Sequence, residues 1–546
     1  MRAADKVCSR AGTRAPGGAG TRAPAGAGTG GAARRYCLGI DIGTTAVKAL
    51  LIDRDGGLVA EASSPHDLYS AAQGWAEEDA AEWWTGLCVS CRRILESGRR
   101  SPGDIACDIA CDIAGVGISG MVPAIVLLDG EGRVLRRTIQ QQDARTAEQI
   151  RFVQERIDQE ELYRRTGSYT NQQHVLPRLL WVKQHEPEVW RDVRTVLGSY
   201  DYVRYRLTGR LSLETNWAVE SALYDIRTGN WIPEYLAIGD LSPGLFPPVR
   251  RPDEVAGHVT PAAAAATGLA AGTAVVTGSA DHVASALAAG VRQYGDMLVK
   301  FGGGGDVLFC TETLETHPRL YIDFHDIPGR YLINGCMAAS GSLIKWFARQ
   351  FVPNPDDPGV YRTLDSEAAA VPPGSDGVIV LPYFLGEKTP LFDPLARGVF
   401  FGLSLHHGRA HLFRAILEAV AYGFRHHMDE LESMGYHPLR VFGTNGGAKS
   451  SLWVQIAADV LGCRIVAHPG HPGSALGAAF VAGMGAGLFD DWSEIERFLG
   501  DGVVYEPDPR NHEIYDRGYA IYRDLYRHLK PDFAHVSKLY AGAEDL

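Results

Sequence analysis

Residues 37–53 read CLGIDIGTTAVKALLID. Ile40, Ile42, Val47, Leu50 and Ile52 give this stretch the apolar, β-branched content of two buried strands. Between them lies the turn Asp41-Ile42-Gly43-Thr44-Thr45, with Lys48 just beyond. Gly43 lets the backbone approach a bulky anion, while backbone N–H groups and the Thr44 and Thr45 hydroxyls donate to phosphate oxygens. A carboxylate repels phosphate, so Asp41 makes sense if a metal ion sits between the two. An ordinary hairpin turn has the same local pattern, and the rest of the chain has to separate the two readings.

The same plan recurs about 250 residues later. DMLVKFGGGGDVLFC (296–310) reads as a strand, a turn at Gly302, Gly303, Gly304 and Gly305, and a second strand. Two such hairpins predict a duplicated architecture in which each half offers a phosphate-gripping turn to a shared cleft. Between them, AVVTG (274–278) reads as a strand running into Ser279-Ala280-Asp281-His282 and a small-residue helix, 283–290. An acidic residue at a strand's C-terminal end, opening a helix, faces a cleft or simply caps the helix, and Asp281 suits both roles. Arg440–Gly443 is a third strand of interest, followed by Thr444-Asn445-Gly446-Gly447-Ala448-Lys449-Ser450 and a helix over 452–461. Strand, glycines and helix N-terminus form a geometry that binds anions or closely approaches a nucleotide.

Other stretches supply the frame. GWAEEDAAEWW (74–84) starts a helix with Asp79 as N-cap. Residues 113–128 read as a strand pair broken at Ser119-Gly120-Met121-Val122-Pro123, a loop at a strand end where α/β folds place ligand contacts. In QQQDAR (140–145), Asp143 and Arg145 bind sugar hydroxyls or form a surface ion pair. Residues 147–210 read as helices, and 211–250 as polar and turn-rich. Leu412, Ile416, Val420, Phe424, Met428 and Leu431 recur at helical spacing as a core stripe, with Gly435 as the stop. GSALGAAFVAGMGAG (473–487) is a helix of small residues that permits close packing.

With 546 residues the chain is too long for one core and suits two large domains. Its net charge of −12 argues against nucleic acid as the main partner, and no apolar run is long enough for a transmembrane helix. Residues 1–35 hold seven Lys/Arg against Asp5 and repeat AGTRAP; they read as a disordered low-complexity tail. Cys88 and Cys91, followed by Cys107 and Cys111, have a zinc-like spacing. The second pair lies in a short tandem repeat, DIACDIACDIAG (104–115), and the first on an amphipathic helix, so ordinary thiols in a reducing cytoplasm are the preferred reading.

Taken together, the motifs resemble the FGGY carbohydrate kinases, nearest to the xylulokinase-like members, from about Tyr36 to about Leu529. DIGTTAVK resembles the first phosphate motif and GSADHVASALAAG the segment carrying the catalytic aspartate. KFGGGGDVLF falls at the second phosphate turn, GEKTPLFDPLARGVFFGLSLHH (386–407) with HLFRAILEAVAYG (411–423) at the family signature, and NGGAKSSLWVQIAADVLG (445–462) at the adenosine motif. The resemblance implies a two-lobed α/β fold of the actin/hexokinase/Hsp70 type, a duplicated ribonuclease H-like plan with a central nucleotide cleft. The implied domains are 36–290, with the sugar site and first phosphate motif, and 291–530, with the second phosphate turn and adenosine site; 531–546 is a tail. It also implies an ATP-dependent kinase that phosphorylates a ketopentose such as D-xylulose. Asp281 is then the base, and Mg²⁺ is held near Asp41 and Asp281. Gly43, Thr44, Thr45, Lys48 and Gly302 to Gly305 hold phosphates, and Asn445, Gly446, Gly447, Ala448 and Lys449 hold adenosine. Met121, Val122, Pro123, Asp143, Arg145 and Asp281 contact the sugar. A small-molecule sugar or polyol is the expected partner, and a homodimer is implied by resemblance alone.

Three departures bear on the substrate. The family's Gln-Met-His-Gly after Ser-Gly is replaced here at Met121-Val122-Pro123-Ala124, its Trp before Asp-x-Arg is Gln141, and its second phosphate turn is all glycine. Phosphate turns work through backbone N–H groups, so these changes leave the kinase reading in place and open the identity of the acceptor: another ketose, a polyol such as erythritol or glycerol, or a regulator that binds without transfer.

Overall fold

Two hairpins seed two sheets. The computed structural model describes residues 35–72, 74–97 and 107–541. Strands β1 (Tyr36–Ile42) and β2 (Ala46–Asp53) pair antiparallel with Ile42 opposite Val47, and β3 (Leu58–Pro65) adds to β2. Helix α1 (Ala80–Ser97) packs across β2 and β3; Asp79 Oδ1 accepts from the Ala81 N–H at 2.8 Å, the expected cap. Through that crossover the chain returns as β4 (Ile113–Gly120), parallel to β1 on its other side and buried along its whole length. The sheet is completed by β5 (Val255–His258), β6 (Ala274–Val276) and β7 (Ser279–Ala280), in the order β5-β6-β4-β1-β2-β3 with β7 beside β4. Helix α2 (Asp281–Ala288) leaves directly from β7.

The second sheet repeats the plan. Its strands are β8 (Asp296–Phe301), β9 (Gly305–Thr311), β10 (Tyr321–Phe324), β11 (Tyr331–Met337), β12 (Arg440–Thr444), β13 (Ile465–Ala467) and β14 (Val503–Tyr505). They lie in the order β10-β11-β9-β8-β12-β13-β14. Helix α3 (Arg409–Ser433) leads the chain into β12, and α4 (Ser451–Leu461) carries it from β12 to β13. The run β3-β2-β1-β4-β6 therefore matches β11-β9-β8-β12-β13: three antiparallel strands, then parallel strands beside the first. Ile416, Val420, Phe424 and Leu431 of α3 are buried, as their spacing predicts.

One helix crosses between the halves of the chain. Helix α5 (Ser474–Ala486) follows β13 yet packs on β1 and β4 of the first sheet. Glycine makes this possible: a Cβ on Gly39 would lie 1.9 Å from the Ala475 carbonyl oxygen, and one on Gly117 2.0 Å from that of Ala478. The same closeness recurs against α2, where a Cβ on Gly477 would lie 2.0 Å from the Ala284 oxygen.

Several local expectations are corrected. Val126–Leu128 is a strand but pairs with Thr195–Leu197, not with β4, and Thr195–Leu197 is itself a strand inside a stretch read as helical. The strand at 274 stops at Val276, because Gly278 takes a φ of +95° and turns the chain before β7. Residues from 531, expected as a tail, continue α6 (Pro509–Ala541) to its end. Cys88 and Cys91 both lie on α1; Cys91 is buried in the core, where burial pushes its thiol up. The side chain of Cys107 and the expected tail, apart from Arg35, lie outside the described residues. Among those described, no helix is long and apolar enough to cross a membrane.

Candidate active site

The parallel strands of both sheets deliver side chains at their C-terminal ends, where open α/β sheets form crevices. Asp41, near the end of β1, sits in register with Lys48 on β2 and Ser119 on β4. The Ser119 hydroxyl donates to Asp41 Oδ1 at 2.9 Å, and Ser474, at the start of α5, bonds the same carboxylate. Burial, then the charge of Asp281, pushes Asp41 up to about 6 against the pull of Ser474, Ser119 and Lys48.

Asp281 begins α2. Burial works against its charge, but a hydrogen bond from His282 and the cation of Lys300 outweigh it and hold the carboxyl below the usual range. His282 Nδ1 lies 3.5 Å from Asp281 Oδ1, and Nε2 lies 3.0 Å from Asp323 Oδ2 and 3.8 Å from Glu220 Oε1. Burial opposes the imidazolium, but Asp323, Asp281 and Glu220 lift His282 well above its ordinary value. Lys300, near the end of β8, lies 3.4 Å from Asp306; burial opposes its charge, and Asp306, Asp281 and Asp41 raise it.

Asp41, Lys48, Asp281, Lys300, Asn445 and Ser474 line one cavity of about 650 Å³. A second, of about 680 Å³, has Gly302, Gly303, Gly447, Tyr361, Asp365 and Trp453 among its walls. Both cavities are bounded by Asn445, Gly446 and Lys449, so they form one trough. The N-terminal turn of α5 contributes Ser474 and Ala475 to the first cavity and sets helical N–H groups toward it.

The residues expected from the sequence divide. Asp41, Lys48, Asp281, Gly302, Gly303, Asn445, Gly446, Gly447 and Lys449 line the trough. Gly43, Thr44 and Thr45 form the β1–β2 turn without lining either cavity: the Gly43 N–H donates to the Ala46 oxygen at 3.1 Å, and the Thr44 hydroxyl lies 2.9 Å from Met121 Sδ. Gly304, in the second turn, and Gly305, which opens β9, line neither cavity, and a Cβ on Gly305 would lie 2.9 Å from Phe424 Cε1. Ala448, Met121, Val122 and Pro123 are buried and line neither cavity. Asp143 and Arg145 close on each other, as an ion pair that is buried and not at the surface. Asp143 Oδ1 accepts from Arg145 Nε at 2.9 Å, and its Oδ2 accepts from Arg145 Nη2 at 2.7 Å and the Ala76 N–H at 2.6 Å. The Arg145 guanidinium stacks on Trp75, 3.7 Å from the ring centre.

Three features of the site were not read from the sequence. Lys300 carried a usable signal, a lysine at a strand end just before a glycine-rich turn. The loop Gly470-His471-Pro472-Gly473 also carried one, being Pro-Gly-rich between a strand and a helix. Glu220 and Asp323 carried none, since they come from segments far apart in the chain and meet only at His282.

The frame is two-lobed and α/β, and each lobe brings one hairpin to a single trough, with Asp41 and Lys48 from the first and Gly302 and Gly303 from the second. The chain belongs to the FGGY family of carbohydrate kinases: the profile of the family's N-terminal domain matches residues 36–288 and that of its C-terminal domain 310–486. It is therefore a sugar kinase with the actin/hexokinase-like fold, and kinases of this family use ATP. The xylulose kinase of Bacillus subtilis (strain 168) is 30% identical over 499 residues, covering 91% of this chain and 97% of that protein. The L-xylulose/3-keto-L-gulonate kinase of Escherichia coli (strain K12) is 31% identical over 513 residues, covering 92% and 99%. The crystal structure of xylulose kinase from Rhodospirillum rubrum superposes with a TM-score of 0.84 at 42% identity, covering 92% of this chain and all of that one.

Proposed function

We propose that this kinase transfers the γ-phosphoryl group of ATP to a hydroxyl of a ketopentose such as D-xylulose, with Asp281 as the base. The observation that carries this reading is that Asp281, Asp41, Lys300 and the N-terminus of α5 line one cavity. That cavity continues into one walled by Gly447, Tyr361 and Trp453, which suits adenosine. The xylulose kinases among its relatives support the choice of sugar.

The roles follow from position. Adenosine lies against the backbone at Gly446 and Gly447, with Asn445 and Lys449 at the junction of the two cavities. The phosphates run from Gly302 and Gly303 toward Lys300 and the first turn of α5, with the Gly43–Thr45 turn and Lys48 on the opposite lobe. Asp281 accepts the proton of the acceptor hydroxyl as its oxygen bonds to the γ-phosphorus. The bond from that phosphorus to the β–γ bridging oxygen breaks, and its electron pair leaves on ADP. His282 and Lys300 keep the base ionised before the acceptor arrives. Asp41 and Asp281 fit Mg²⁺, because two carboxylates that repel each other across one cavity are an all-oxygen donor set for a hard cation. When bound, the ion would neutralise phosphate charge. Closure of the two lobes would exclude water, which otherwise competes as acceptor. The unbridged thiols of Cys37, Cys88, Cys91, Cys310, Cys336 and Cys463 accord with action in the cytoplasm, and a homodimer belongs to the same reading.

The test is coupled ADP release by the purified protein with Mg-ATP and D-xylulose, L-xylulose, D-ribulose, L-ribulose, glycerol or erythritol. The expected result is release that depends on one of the ketopentoses. Release equally slow with every acceptor, alongside measurable ATP binding, refutes the proposal.

A further inference from the structure

The turn between β1 and β2 is held from behind by a residue that lines neither cavity of the trough. His66 follows directly on β3, and its side chain is only 1% exposed. Its ring Nε2 lies 2.8 Å from the Gly43 oxygen, and its backbone N–H donates to the Thr45 oxygen at 3.1 Å. A carbonyl oxygen only accepts, so Nε2 carries the ring proton in this contact. One residue thus fixes the carbonyls at both ends of the Gly43–Thr45 turn.

The Gly43 carbonyl and the Thr44 N–H belong to one trans peptide and point in opposite directions. With the oxygen held by His66 on one side, that N–H is presented on the other. Gly43 has no Cβ to resist rotation of this peptide. Were the peptide to turn over, a carbonyl oxygen would stand where a phosphate-gripping turn needs a donor. Behind the ring, His66 Nδ1 lies 3.7 Å from Glu78 Oε2, which accepts from Trp83 Nε1 at 2.8 Å. His66 Nδ1 and Glu78 Oε1 are both buried without a hydrogen bond, so the ring is bonded to Gly43 ahead and packed against the carboxyl behind. Burial pushes Glu78 up to about 8, so near neutral pH it sets little negative charge beside the turn. The next residue, Asp67, donates its N–H to Glu82 Oε2 at 3.0 Å, which ties this corner to α1.

Resting on the reading that this turn grips the phosphates of ATP, we propose that His66 is a positioning residue for phosphoryl transfer. It pins the Gly43 peptide so that the turn keeps its N–H donors toward the phosphates, and Glu78 keeps the imidazole in place. His66 touches neither nucleotide nor acceptor, and its effect reaches the reaction only through the turn. The adenosine cavity and the acceptor lie beyond that effect.

The experiment compares wild type, His66→Phe and His66→Gln by steady-state ADP release and by titration with adenosine. Phenylalanine fills the space of the ring without its donor, and glutamine restores an N–H at a similar reach. His66→Phe should lower kcat/KM for Mg-ATP about tenfold, with the acceptor KM and the affinity for adenosine unchanged. His66→Gln should recover most of that loss. A folded His66→Phe protein with wild-type kcat/KM for Mg-ATP overturns the inference and leaves the kinase reading standing. Equal losses in the two variants, or a matching loss of adenosine affinity, overturn it as well, because the residue then only packs. ¹⁵N-histidine spectra of the wild type, with His66 assigned from His66→Gln, keep the inference open to refutation if His66→Phe does not fold: Nε2 should carry a proton, and a bare Nε2 overturns the inference by itself. Wild-type protein that releases no ADP with any acceptor would sink the kinase reading and this one together.

Discussion

Asp41→Asn should make the protein more stable and less active at once. The carboxyl is buried, and the folded protein holds it at about 6 against an ordinary value of 3.8. A carboxyl whose pKa rises on folding costs stability wherever it is ionised in both states. That cost is complete above about 6, shrinks as pH falls, and is gone below about 4. At pH 7.5 it amounts to at most about 3 kcal/mol, the free-energy equivalent of the displacement. Asparagine keeps an oxygen to accept from Ser119 and removes the charge. An unfolding entropy of about 2 cal/mol/K per residue gives roughly 1 kcal/mol/K for a folded unit of this size, so Tm should rise by about 3 °C. The assay is a thermal melt in EDTA, with wild type and variant compared at pH 7.5 and at pH 4.5. The gain should be present at the higher pH and much smaller at the lower. Phosphoryl transfer by the variant should fall at least about 100-fold at saturating Mg-ATP. An Asp41→Asn protein that melts at or below the wild-type temperature in EDTA at pH 7.5 would refute the electrostatic account of this site.

Further predictions concern the base, the phosphate cation and the packing of α5. Asp281→Asn should lower kcat by at least about 100-fold in a protein that still folds and binds ATP, melting somewhat below wild type because the ionised carboxylate held by His282 and Lys300 is lost; near wild-type turnover would remove it as the base. Lys300→Met should lower kcat/KM for ATP by about 100-fold, checked by steady-state ADP release, while leaving acceptor binding in the absence of nucleotide unaltered. Gly117→Val places its Cβ where the Ala478 backbone oxygen already stands, and urea unfolding should show a loss of about 3 kcal/mol or failure to fold.

Much of this protein is legible in its residue order. The two hairpins at 36–53 and 296–311, the strand that delivers Asp281 and the glycines before α4 are local statements. β-branched runs, a turn and an acidic residue at a strand end specify them wherever they fold. Their recurrence in one chain was enough to predict the duplicated plan and the shared cleft. Tertiary structure decided what depends on distance along the chain. Helix α5 reads only as a packing helix of small residues, and nothing local says that it closes the first sheet and turns Ser474 toward Asp41. Asp143 and Arg145 look equally suited to a ligand or to solvent until Ala76 and Trp75 close around them. Glu220, His282 and Asp323 come together from three separate segments, because side chains that share a charge are selected by the space they share. Sequence periodicity reports which face of an element is buried; only the packed lobes determine which buried groups face one another.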